Sequence, residues 1–336
     1  MSGQAAILVG QAGPGHVGAH LMSAAGDLGM SVQLIDAAQA YLGPSWRRRF
    51  NWWLRGRRPC RLDKFSEAVT DACLQAQPKV LITTGIAPVS AEALDRIGKA
   101  AVRRVNYLTD DPWNPVHRAP WFLSALAHYD HVFSPRRANL EELRRAGCRS
   151  VSYLPFAYAE GVHTPAGDSP AEPLERDASD VMFAGGADAD RLPLVRALIR
   201  QGHRLALYGG YWERDPLTKP FARGFISPDR LKFAVAAARL CLCLVRRANR
   251  DGHSMRSFEL AAMRGCLLVE WTEEHEEIFG QDAAYFRSET DMVEKAVWLL
   301  DRPEERARLS EATYRRVTGC GHSYHSRLQS LLAAQS

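Results

Sequence analysis

Short apolar runs alternate with helix-like segments from Ala5 to Phe156, the alternation stops over His163–Ser179, and it resumes at Asp180. Strand and helix alternating at this spacing mark a parallel sheet wrapped by helices. The runs AAILVG, KVLITTG and RLCLCLV are apolar throughout rather than every second residue. Strands covered on both faces need that pattern. The interruption, HTPAGDSPAEPLERDAS, has no apolar period and is rich in Pro, Asp, Glu and small residues. It reads as a linker between two sheets. The predicted organisation is an N-terminal Rossmann-like domain over 1–162, a linker over 163–179, a second such domain over 180–320 and a C-terminal helix over 321–336.

A length of 336 residues suits two cores of ordinary size. No apolar run approaches the roughly 20 residues that would cross a bilayer. Ala5–Gly10 is too short for a signal-peptide core and reads as a first strand. A soluble, cytoplasmic chain is the expectation. The seven cysteines, Cys60, Cys73, Cys148, Cys241, Cys243, Cys266 and Cys320, form no C-x-x-C pair. They read as structural thiols, with Cys241 and Cys243 on one face of a buried strand.

Asp251–Trp271, DGHSMRSFELAAMRGCLLVEW, carries the most chemistry. Ser254 is placed to cap a helix from Met255, and Gly265 to end it in the left-handed conformation. A helix start offers free N–H groups and partial positive charge to a diphosphate. Arg256 in the first turn adds a charged donor. Glu259, one turn on, can accept hydrogen bonds from both hydroxyls of a ribose, and is expected to face a cleft.

SMRSFELAAMRGCLLVEWTEEHEEIFG, YFRSETDMVEKAVWLLDRPEERARL and HSYHSRLQSLL together resemble the C-terminal domain of the spore-maturation (CgeB-like) glycosyltransferases. The resemblance covers roughly residues 181–332. These enzymes belong to the GT-B group, which includes the family 4 glycosyltransferases. It implies two Rossmann-like domains facing a central cleft, with the C-terminal helix returning to the N-terminal domain. It matches Glu259 to the ribose-binding glutamate of an E-x7-E pattern, and places Asp251 where family 4 members usually carry Glu. VMFAGGADADR resembles the opening strand and loop of that domain, which sets Gly185 and Arg191 near the diphosphate. LYGGYW, with Gly209 and Gly210, resembles the loop beside the base. His253, Ser254, Met255 and Arg256 complete the implied donor site. Asp188-x-Asp190 could suggest a metal pair but reads as an exposed turn, and the resemblance implies no metal and no cofactor besides the donor substrate.

Gly13-Pro14-Gly15-His16-Val17-Gly18 fits G-x-G-x-x-G, and Asp36 ends the next strand. Alone this suggests an NAD-dependent oxidoreductase. Against that, Gly10, Gln11 and Ala12 separate strand and first glycine. The loop also resembles the GQGHV-type turn of several GT-B enzymes, implying Gly15 near the donor phosphates and His16 either as the base that takes the acceptor proton or as a residue that lines those phosphates or holds the turn. Asp110 and Asp111, where RRVNYLTD ends, are expected to contact the acceptor or to partner His16 in catalysis; turn and cap duty is the alternative.

Gly43–Leu62, GPSWRRRFNWWLRGRRPCRL, holds seven arginines and no acid. On a helix Trp46, Phe50, Trp53 and Leu54 share a face flanked by arginines. This suits the interface of an anionic membrane, reached through Trp46–Arg61. The pattern could also meet nucleic acid or a charged glycan, or the tryptophans could pack inward; nucleic acid is the partner set aside. The expected function is glycosyl transfer from a nucleotide diphosphate sugar to a glycan, lipid-linked or protein acceptor, at the inner face of the membrane. The alternatives are the NAD enzyme and a non-catalytic glycan or membrane adaptor.

Overall fold

The computed structural model describes residues 5–167 and 178–334. Of the expected linker, residues 168–177 lie outside the described residues. The chain divides into two compact units. The first comprises Met1–Pro155, Ala248–Arg250 and Tyr324–Ser336, and the second Phe156–Arg247 and Asp251–Ser323.

The first unit runs β1 (Ala6–Gly10), α1 (Val17–Asp27), β2 (Val32–Asp36), α2 (Ser45–Leu54), α3 (Leu62–Ala76), β3 (Val80–Thr84), α4 (Ala91–Lys99), β4 (Arg103–Tyr107), α5 (Pro120–Leu123), β5 (His131–Ser134), α6 (Leu140–Arg145) and β6 (Val151–Tyr153). All six strands are parallel, in the order β2-β1-β3-β4-β5-β6. Every residue of β1 is buried, as its unbroken apolar run requires. Gly10 and Gly18 let α1 lie close on β1. A Cβ on Gly10 would stand 3.1 Å from the Gly18 Cα, and one on Gly18 2.7 Å from the Gln11 carbonyl oxygen.

The second unit runs β7 (Ser179–Ala184), α7 (Arg191–Arg200), β8 (Leu205–Tyr208), β9 (Ala222–Gly224), α8 (Pro228–Ala237), β10 (Ala238–Cys243), α9 (Met255–Ala262), β11 (Leu267–Glu270), α10 (Glu273–Phe279), β12 (Ala284–Phe286), α11 (Glu289–Leu300) and α12 (Pro303–Gly319). Its parallel order is β12-β11-β10-β7-β8-β9. Numbered from β7, that is the dinucleotide-fold order 3-2-1-4-5-6, with its switch point between β7 and β10. Its core packs Val181, Leu198, Leu240, Leu242, Leu268 and Met292 among others. Each fully buried aliphatic side chain is worth roughly 1.5–3 kcal/mol. The seven cysteines are free thiols, and burial pushes Cys243 up to about 12.

The last helix, α13 (Tyr324–Ala333), belongs to the first unit and packs along α1. Tyr324 stacks on His20 at 5.1 Å. The Arg103 guanidinium donates to the Leu332 and Ala334 carbonyls, satisfying acceptors that a helix end leaves open.

Candidate functional site

Ligands of open parallel sheets sit outside the carboxyl ends of the strands at the switch point. In the second unit those ends carry Gly185–Asp190 after β7 and the segment leading from β10 to α9. Gly209, after β8, has φ +125, and a Cβ there would lie 2.5 Å from the Gly185 carbonyl oxygen. The two loops therefore touch backbone to backbone. Gly185 N–H donates to the Tyr208 carbonyl at 2.8 Å, Ala187 N–H to that of Gly210 at 3.0 Å, and Trp212 Nε1–H to that of Gly185 at 2.8 Å. Arg191 Nη1 donates to the Gly186 carbonyl at 3.1 Å and lies 3.5 Å from Asp188 Oδ2. Burial lowers the Arg191 pKa, and the charge of Asp188 opposes that shift. Asp188 Oδ1 accepts from the backbone N–H groups of Asp190 and Arg191 at 3.1 and 2.9 Å, so it caps α7.

Ser254 is the N-cap of α9 by backbone conformation, but its hydroxyl makes no cap. It turns instead to Ser257 Oγ at 3.2 Å, which meets His275 Nε2 at 2.8 Å. His275 Nδ1 faces the Glu270 carbonyl at 2.9 Å, and burial lowers this imidazole's pKa from 6.5 to about 3. A carbonyl can only accept, so Nδ1 carries the hydrogen of the neutral ring and Nε2 accepts from Ser257. Ser257 in turn accepts from Ser254. The N–H groups at the start of α9 thus lack a side-chain cap, the state that an anionic ligand needs. At the other end Arg264, not Gly265, holds the left-handed conformation, with φ +60. Gly265 is required for space, because a Cβ there would stand 2.8 Å from Cys241 Sγ.

Glu259 is 0% exposed and pairs with Arg256 one turn back. This departs from the expected cleft-facing carboxylate. His163 lies beside it, with Nε2 3.8 Å from Glu259 Oε1. Ala159 N–H donates to His163 Nδ1 at 2.9 Å, so the neutral ring directs its Nε2–H toward Glu259. Burial lowers the His163 pKa, while the Glu259 charge raises it. His253 is held from both sides. Its Nε2 accepts from Phe156 N–H at 3.0 Å, so Nδ1–H donates to Glu274 Oε2 at 2.7 Å. It positions the loop before α9 and has no ring nitrogen left for a phosphate. Gly252 permits this, since a Cβ on it would stand 2.3 Å from the Glu274 carboxyl carbon. Asp251 N–H donates to the Arg246 carbonyl at 3.3 Å. Glu274, His275, Ser257 and His163 were not singled out from the sequence. A Thr at position 272 before the acidic run, which caps α10 at His275 N–H, is a local signal that could have found part of this group.

In the first unit the switch point lies between β1 and β3. Gly15 has φ +81, and His16 is the N-cap of α1 with its imidazole exposed and making no cap. Asp110 is half-buried at the end of β4, where a Cβ on Gly85 would stand 3.0 Å from its Oδ2. Asp111 is 1% exposed and fully engaged. Arg250 donates to both its oxygens at 2.7 and 2.9 Å, and Asn139 Nδ2 and Trp113 N–H donate to Oδ1 at 3.1 and 3.0 Å. Asp111 therefore anchors Arg250, and Asp110 is the carboxylate better placed for chemistry. Asp36 Oδ1 accepts from Ala38 and Ala12 N–H at 3.0 and 3.4 Å, which ties it to its own turn and to the glycine loop after β1. Replacing Asp111 by Ala is expected to cost about 3 kcal/mol in urea unfolding, as for a broken buried ion pair. Nucleotide affinity should stay unchanged.

Residues 191–333 match the family described as glycosyl transferase-like. None of the curated proteins compared matches the chain. Sucrose-phosphate synthase from Thermosynechococcus elongatus aligns over 97% of this chain and 96% of its own, with TM-score 0.72 and 13% identity. Anabaena Alr3699/HepE, solved in complex with UDP, aligns over 97% of each chain with TM-score 0.63 and 13% identity. T4 phage BGT in complex with UDP and Mn2+ aligns over 98% of this chain and 100% of its own, with TM-score 0.59 and 13% identity. At such identities the likeness is one of fold. With two parallel α/β sheets, it makes the architecture that of the GT-B type.

Proposed function

We propose that this chain is a nucleotide-sugar-dependent glycosyltransferase, of a hexosyltransferase-like kind related to the CgeB-like group, and that its second unit holds the donor. The observation that carries this reading is the Arg256–Glu259 pair at the uncapped start of α9, within a stretch matched by a glycosyl transferase-like family. The N–H groups of Met255 and Arg256, with the guanidiniums of Arg256 and Arg191, take the diphosphate and supply positive charge without a metal. When Arg256 turns to the diphosphate it releases Glu259 to the ribose hydroxyls, and the glycine loops after β7 and β8 lie beside the base and sugar. HepE and BGT were solved with UDP, so a uridine diphosphate sugar is the first donor to examine. The NAD reading is disfavoured by Asp36, whose Oδ1 is taken by Ala38 N–H and by Ala12 N–H of the glycine loop. Among glycan, lipid-linked and protein acceptors, a lipid-linked one at the inner face of a membrane fits the exposed aromatic helix α2.

Calorimetric titration with UDP, GDP, CMP and NADH, with and without EDTA, tests the donor reading. One nucleoside diphosphate should bind regardless of EDTA, and NADH should not. In Glu259→Gln the lost charge-assisted bonds should weaken that affinity by roughly 1.5–3 kcal/mol, about 10- to 150-fold. Gln keeps the volume and a partner for Arg256, so the variant should fold. Undiminished binding in folded Glu259→Gln rejects the ribose assignment. Binding of NADH alone rejects the transferase.

A further inference from the structure

We propose that α2 docks this protein on a bilayer rich in anionic phospholipid, with Trp46, Phe50, Trp53 and Leu54 entering the interface and the surrounding arginines holding headgroups. At about 100° per residue these four share one face of the helix, with Arg49 on one flank and Arg47 on the other. Asn51, the buried residue of α2, points away from that face, its Nδ2 3.8 Å from Cys60 Sγ. The helix is anchored at Asn51, and the apolar stripe is left uncovered. Trp46 is 69% exposed, Phe50 48%, Trp53 79% and Leu54 73%. Water around so much contiguous apolar surface is unfavourable, and a partner that removes it gains what the fold does not.

Charge selects the partner. No acid lies between Gly43 and Leu62. Among the described residues Arg47, Arg48, Arg49, Arg55 and Arg61 make no ion pair, and Arg58 pairs with Asp63. The first turn of α2 carries no acid to offset its positive end. Arg57 donates to the Pro115 and Arg118 carbonyls at 2.6 and 2.7 Å, which pins the C-terminal end of α2 beside the exposed Val116. An apolar centre with cationic flanks is the arrangement that seats a helix at the boundary of acyl chains and anionic headgroups. Duplex nucleic acid would meet the arginines but leave the stripe in water. The proposal stands independently of the donor site.

Flotation of the full chain with vesicles of equal parts phosphatidylcholine and phosphatidylglycerol, and with phosphatidylcholine alone, tests it. Partition onto the anionic vesicles at low salt is expected, with a blue shift of tryptophan emission. Both W46S/W53S and R47Q/R48Q/R49Q should weaken it by at least about tenfold. These side chains are exposed, so the fold and nucleotide affinity should be unchanged in both. Failure of wild type to float at low salt overturns the proposal, as does equal flotation of wild type and both variants. Retardation of duplex DNA without flotation reassigns the surface to nucleic acid.

Discussion

His16→Ala is expected to lower kcat by about 10²–10⁴-fold, the usual contribution of a general base, with donor affinity within about threefold of wild type. The residue closes the glycine turn after β1, at the carboxyl end of the sheet beside its switch point. Its backbone forms the N-cap of α1, yet its ring makes no cap and is exposed to an incoming ligand. Imidazole is the side chain best suited to accept a proton near neutral pH. Taking the acceptor hydroxyl proton as the glycosyl bond forms would make that oxygen a competent nucleophile, and the proton would reside on the ring. Asp110, half-buried after β4, is the candidate partner of the ring, and Asp110→Asn should lower kcat less than His16→Ala does. Steady-state kinetics that leave kcat within about threefold of wild type, or raise KM for the donor alone, reject the base.

Acid should destabilise the second unit through His275. Its imidazole is buried between Ser257 and the Glu270 carbonyl, and its pKa falls from 6.5 to about 3. The unfolded chain then binds one more proton than the folded chain between those two values. Stability from the neutral ring is fully present above about pH 6.5 and is lost as pH falls toward 3. The slope is about 1.4 kcal/mol per pH unit once the unfolded imidazole is protonated, so several kcal/mol are at stake. His163, whose pKa burial also lowers, contributes with the same sign. Carboxylates held low by their partners, such as Asp130, lose their contribution only below the ordinary carboxylate range. Urea unfolding from pH 7 to 4.5 should show the fall, and His275→Gln, less stable at neutral pH, should have a shallower slope. An unchanged slope in that variant would place the acid sensitivity elsewhere.

Local periodicity carried much of the architecture. Unbroken apolar runs such as Ala6–Gly10 and Leu240–Cys243 must be buried on both sides, which implies parallel sheets whatever their order. The amphipathic face of α2 was legible for the same reason, since the helical period brings Trp46, Phe50, Trp53 and Leu54 onto one face. The motif before α9 indicated a helix start, and the structure has one at Met255. Which candidate residues the frame takes up was decided by contacts far apart in the chain. Asp110 and Asp111 are neighbours of the same type, yet Arg250, 139 positions away, claims Asp111 and leaves Asp110. His253 is implied by resemblance as a donor-site residue, yet Phe156 and Glu274 occupy its two ring nitrogens. Gly265 looked like a left-handed cap, but Cys241 on β10 needs its missing side chain while Arg264 takes the turn. Strand order also escaped the pattern: 2-1-3-4-5-6 in one sheet and 3-2-1-4-5-6 in the other arise from equally apolar strands. Periodicity reports which face of an element avoids water. A hydrogen bond or a steric limit depends on the atom that arrives opposite, and only the folded chain brings that atom there.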